Sequence, residues 1–158
     1  MYNFYDTSSL LLLDTIKKED NIVISSITLQ ELENIKTSSH KDGELKYKAR
    51  KLLHKIHANP ELLEVWIFNE SMLTPIEEKC LTVTDDMRIL ASAIDYDNKV
   101  HPDEVEFYTN DLCLFHIANL FFGNDSIKSI IEKPIEDYVG YKEVSMNEEE
   151  MSTFYMLP

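Results

Sequence analysis

Four acids fall where a folded chain tends to gather reactive groups. Asp6 directly follows an apolar run in Phe4-Tyr5-Asp6-Thr7-Ser8-Ser9, and Asp111 follows another in Phe107-Tyr108-Thr109-Asn110-Asp111-Leu112. Asp86 opens a helical pattern in Thr84-Asp85-Asp86-Met87-Arg88-Ile89, and Glu31 lies between Leu29 and Leu32 in the first turn of a predicted helix. Singly, each acid has an ordinary structural use. Asp6, Asp85 and Asp111 suit helix N-caps, worth about 1 kcal/mol each, and an acid in a first helical turn suits the helix dipole. Together they ask for more, because four carboxylates converging on one edge of a fold repel one another unless a cation holds them. Oxygen-only ligands select hard ions such as Mg2+ or Mn2+.

The elements that must position these acids follow from periodicity. Met1–Tyr5, Asn21–Ser25, Leu63–Phe68 and Val105–Thr109 read as strands. Ser8–Lys17, Thr28–Lys36, Lys46–Ala58, Asp86–Tyr96 and Asp111–Phe121 read as helices, each with an apolar stripe. Strands separated by helices imply right-handed crossovers and a parallel sheet covered on both faces. The expected fold class is α/β, a three-layer α/β/α sandwich with a central, mainly parallel sheet, over residues 1–132. In such a sheet ligands bind outside the carboxyl ends of the strands, which is where the acids fall. From residue 133 to 158 the character changes. Glu136, Asp137, Glu143 and the run Glu148 to Glu150 surround isolated aromatics such as Tyr138 and Tyr141, which reads as an acidic, aromatic-containing C-terminal tail or linker.

Composition sets the outer bounds. The 158 residues, 44% hydrophobic and 28% charged, suffice for one domain with a real core. The longest aliphatic run, Leu10 to Leu13, is far too short to span a membrane, and no secretory signal stands at the N-terminus. Cys80 and Cys113 are too few for a disulfide scaffold or a zinc site, so the cytoplasm is the default compartment. The balance of 15 Lys+Arg against 29 Asp+Glu leaves −14, which repels polyanions at long range. One segment runs the other way. His40 to His57 carries Lys41, Lys46, Lys48, Arg50, Lys51 and Lys55 against only Asp42 and Glu44. On a helix Lys48, Lys51 and Lys55 share a face, with Tyr47 nearby for stacking. Two uses fit that face: contact with nucleic acid, or the solvated side of an amphipathic helix.

Taken in order, Tyr5-Asp6-Thr7-Ser8-Ser9-Leu10, Leu29-Gln30-Glu31-Leu32-Glu33-Asn34-Ile35-Lys36, Asp86-Met87-Arg88-Ile89-Leu90-Ala91 and Tyr108-Thr109-Asn110-Asp111-Leu112 resemble the PIN domain family. The resemblance implies a divalent-metal-dependent ribonuclease using Mg2+ or Mn2+. It carries the acidic site onto Asp6, Glu31, Asp86 and Asp111, with Thr7, Asp85 and Asn110 in support; the basic segment, read from its own charge, offers Lys46, Lys48, Arg50, Lys51 and Lys55 toward RNA. Hydrolysis leaving a 5′-phosphate and a 3′-hydroxyl is the reaction the resemblance implies, and none of His40, His54, His57, His101 and His116 is needed. Glu136-Asp137-Tyr138-Val139-Gly140-Tyr141-Lys142-Glu143-Val144 is similar to the segment after the PIN domain in PhoH-like proteins. There a P-loop ATPase normally follows. No Gly-x-x-x-x-Gly-Lys-Ser/Thr occurs in this chain, so it is read as an excised N-terminal domain or a stand-alone relative. The partners implied are single-stranded RNA (or DNA in its place), a second copy of the chain in a homodimer, and a PhoH-like ATPase domain in cis or trans, with no membrane. Relatives commonly carry basic residues a helical turn after the last acid, whereas this chain has Phe115 and His116. The alternative function is a PIN-like RNA-binding or regulatory module with weak or no catalysis. A dehalogenase-like phosphatase would need an acid at position 8, where Ser stands, and a serine hydrolase would need a Gly-x-Ser-x-Gly turn that is missing.

Overall fold

The computed structural model describes residues 1–39 and 43–130. Five parallel strands form one sheet: β1 (Tyr2–Tyr5), β2 (Ile22–Ser25), β3 (Leu63–Trp66), β4 (Val105–Tyr108) and β5 (Ile127–Lys128), in the order β3-β2-β1-β4-β5. The helices are α1 (Thr7–Leu11), α2 (Ser26–Thr37), α3 (Gly43–Ala58), α4 (Thr74–Glu78), α5 (Asp85–Lys99) and α6 (Leu112–Ala118).

Alternation along the strands builds a core on each face of the sheet. Phe4, Val23, Val105 and Phe107 pack with Ile89, Leu90, Ala93 and Tyr96 of α5 and Leu114 of α6. Tyr5, Ile22, Ile24 and Leu63 pack against Leu10 of α1, Leu32 of α2, and Ala49 and Leu52 of α3. The layering is therefore α/β/α, as the apolar pattern implies. The chain winds outward from β1 through β2 to β3, then returns to the opposite side of β1 with β4 and β5. That reversal leaves a crevice at the carboxyl ends of β1 and β4, the usual ligand position in open parallel sheets.

Several elements depart from the sequence reading. The helix expected over Ser8–Lys17 stops at Leu11. The Leu12 and Leu13 amides close onto the Ser9 and Leu10 carbonyls at 3.1 and 3.2 Å, tightening the last turn, and Ile16 then leaves the helical stripe to enter the core. α2 begins at Ser26, capped by the Ser25 hydroxyl, so Glu31 lies in its second turn rather than its first. β5, two residues long, follows no sequence period. The tail expected over 133–158, and His40, Lys41 and Asp42, lie outside the described residues.

Candidate metal and nucleic-acid site

Asp6 leaves the end of β1 and caps α1, its Oδ1 accepting from the Ser9 amide at 2.9 Å. Its own amide donates to the Tyr108 carbonyl at 3.1 Å, which ties the end of β1 to the end of β4. The side chain is buried, with 4% of its surface exposed. Asp111, just beyond β4, caps α6 by accepting from the Cys113 and Leu114 amides at 2.9 and 3.1 Å. It is exposed, and its amide is held by the Thr109 hydroxyl at 3.1 Å. Thus the two strand-end acids flank the crevice and are fixed by their own helices.

α5 delivers the third acid. Its N-cap is Thr84, whose hydroxyl accepts from the Met87 amide, so Asp85 is not a cap; instead it is exposed and pairs with Arg88 at 2.8 Å. Asp86 is half-buried. Desolvation raises its pKa, and the charges of Asp6, Asp111 and Asp85 push it further the same way. Glu31 is also raised, chiefly by desolvation, with Asp85, Asp86 and Asp6 adding to it and a hydrogen bond from the Thr7 hydroxyl opposing it. That hydroxyl also lies 3.2 Å from the hydroxyl of Thr28. Thr7 therefore joins the start of α1 to the acid carried by α2.

These shifts are a measure of convergence. The charges acting on Asp86 and Glu31 are all carboxylates: Asp6, Asp111 and Asp85 bear on Asp86, and Asp85, Asp86 and Asp6 bear on Glu31. All-oxygen donors of this kind suit a hard divalent ion. Among the described residues, however, no three His, Cys, Asp or Glu side chains stand close enough to hold an ion as they lie. Asp6 and Asp111 each turn an oxygen to a helix N-terminus, Glu31 turns one to Thr7, and Asp85 one to Arg88.

The supporting residues divide. Asn110 reaches past Asp111 to Ile130, donating to its carbonyl at 3.2 Å and accepting from its amide at 2.8 Å. It thereby anchors the segment beyond β5. Ser9 went unassigned in the sequence reading, yet it is fully buried behind Asp6. Its hydroxyl has no hydrogen-bond partner among the described residues. The only sequence signal for it was its place three residues after Asp6.

The basic segment also divides. At about 100° per residue, Lys48, Lys51 and Lys55 fall on one side of α3, and Lys46 and Arg50 on the other. Lys48, Lys51 and Lys55 line a groove of about 630 Å³, with Tyr47, Leu52, the stretch Leu10–Ile16 and Ile130. Lys46 and Arg50 are not part of its lining. Tyr47 is 57% exposed, and the Lys51 ammonium sits 6.0 Å from its ring centroid. Lys48 pairs with Glu44 at 3.8 Å. Each wall of the groove is joined to an acid. Leu10 lies in the short helix that Asp6 caps, and Ile130 is held by the neighbour of Asp111.

The profile of one family, the PIN domain, matches residues 5–120. No curated protein matches the chain.

Proposed function

From the premise that this chain belongs to the PIN domain family, whose members are generally metal-dependent nucleases, we propose that it is a divalent-metal-dependent endoribonuclease acting on single-stranded RNA. The observation that carries this reading is the shared electrostatics of Asp6, Glu31, Asp86 and Asp111 at the switch point of the sheet. Glu31 and Asp86, both raised by burial and by neighbouring carboxylates, cost stability, and a bound cation converts that cost into affinity.

Asp6, Asp86, Asp111 and Glu31 would hold Mg2+ or Mn2+, which when bound supplies charge neutralisation at the phosphate and a more acidic water. The protein's own contribution is positional. The Ser9 amide and the strand end fix Asp6, and Thr7 aims Glu31. Glu31, raised by burial, is suited to take a proton from the attacking water, since an efficient base has a pKa nearer the working pH. The expected products carry a 5′-phosphate and a 3′-hydroxyl. Lys48, Lys51 and Lys55 offer the phosphate backbone a local attraction against the net charge of −14, and Tyr47 offers a face for base stacking.

One observation favours the alternative of an RNA-binding module, alone or beside a PhoH-like ATPase: no three described carboxylates stand at ligand spacing. Cleavage of a labelled single-stranded RNA in Mn2+ separates the two. The nuclease reading expects cleavage that EDTA stops and that Asp6→Asn abolishes, because asparagine keeps the cap and loses the charge. RNA that is bound but left intact by the wild type would sink it.

A further inference from the structure

The groove beside α3 carries three lysines and two acids, Asp14 and Glu44, around an apolar floor, and the carboxylate chemistry uses neither the lysines nor the floor. Lys48, Lys51 and Lys55 outnumber Asp14 and Glu44 at the rim, where Lys48 pairs with Glu44, while Leu10 to Leu13 and Leu52 supply the floor. Ile130 stands in its wall and is the last described residue, held there by both polar atoms of the Asn110 side chain. The described chain therefore ends at the groove wall, 28 residues short of the C-terminal Pro158.

The sequence of the segment beyond Ile130 complements the groove. Glu136, Asp137, Glu143 and the run Glu148 to Glu150 stand against the single lysine Lys142 over residues 136–150. Tyr138 and Tyr141 are interleaved among the acids. In a chain of net charge −14, a rim where three lysines outnumber two acids is a rare place for such a segment to find opposite charge. Reach is sufficient. Glu136 lies six residues past Ile130, up to about 20 Å of extended chain, whereas Lys48 to Lys55 spans only about 10 Å of helix. Tethering at the wall also makes the encounter intramolecular, with an effective concentration on the order of millimolar.

We propose that the groove is the docking site of the chain's own acidic C-terminal segment, Glu136 to Glu150, which occupies Lys48, Lys51 and Lys55 and competes there with a nucleic-acid backbone. The competition rests on the RNA reading above; the docking does not.

Zero-length carbodiimide crosslinking of the full chain, read by peptide mass spectrometry, tests the docking. Expected are amide links from the acids of residues 136–150 to Lys48, Lys51 or Lys55, and not to lysines elsewhere such as Lys36 or Lys99. Links spread evenly over the lysines overturn the proposal. A mixture of unlabelled and 15N-labelled chains identifies the source. Mixed-isotope links overturn it too, since a second copy would then supply the segment. Neutralising Glu136, Asp137 and Glu148 to Glu150 to their amides is expected to tighten oligouridylate binding at low salt between about two- and tenfold. Links to the three lysines with unchanged RNA affinity would keep the docking and refute the RNA reading of those lysines.

Discussion

Replacing Asp86 by asparagine is expected to stabilise the metal-free protein while destroying its catalysis. Burial, then the charges of Asp6, Asp111 and Asp85, hold the Asp86 pKa above its ordinary value. A carboxyl with a raised folded-state pKa binds its proton more tightly in the folded state. Stability therefore falls as pH climbs from the ordinary carboxylate range through the raised pKa, and the whole deficit persists above it. Glu31 acts in the same sense. Because Asp86 is about half exposed, screening limits the relief to the range of surface pairs, about 0.2–1 kcal/mol. The α5 dipole favours an acid in this turn and offsets part of that gain. The net is about 0.5 kcal/mol, or roughly 1–2 °C in Tm for a chain of this size. Metal reverses the order: at about 100 times Kd, Mn2+ adds about 2.7 kcal/mol to the wild type and little to the variant. Calorimetry at pH 7.5 and low salt, in EDTA and then in Mn2+, reads both effects. A variant that melts below the wild type in EDTA refutes the reasoning, as does a wild type whose Tm ignores Mn2+.

Removing the Thr7 hydroxyl as Thr7→Val takes away the one interaction that lowers the Glu31 pKa, so the acidic limb of the cleavage-rate profile should move to higher pH; Thr7→Ser should restore it. Asn110→Ala loses two hydrogen bonds to Ile130, about 1 kcal/mol each, and should lower Tm by roughly 4–8 °C in a melting experiment. Changing Lys48, Lys51 and Lys55 together to Gln should weaken single-stranded RNA about equally across sequences. It should also flatten the salt dependence by about 2 in log–log slope, measured by fluorescence anisotropy.

Much of the architecture was readable because apolar runs and stripes answer to local periods. The runs around Phe4, Val23, Val65 and Phe107 marked four of the five strands, and β5 escaped because two residues carry no period. The boundaries went astray where tertiary packing outweighed local pattern. Ile16 fits a helical stripe but serves the core better from an extended segment. Ser25 reads as strand yet caps α2, which moves Glu31 one turn along. Thr84 and Asp85 are both good caps, and adjacent candidates cannot be ranked without φ and ψ. At the site, residue types and their order were readable. The bonds that position them, Thr7 to Glu31 and Asn110 to Ile130, join residues 24 and 20 apart and leave no local trace.

The pairing of β1 with β4 also governs when the site can come into being. Asp6 belongs to the first strand and Asp111 to the end of the fourth, and register Tyr5↔Tyr108 must be reached before the two acids face a common crevice. During synthesis the amino-terminal half can collapse around β2 and β3 while its first acid still lacks its counterpart. On the proposed function, the site is assembled only when nearly the whole domain has emerged, so cation capture would report the completion of folding.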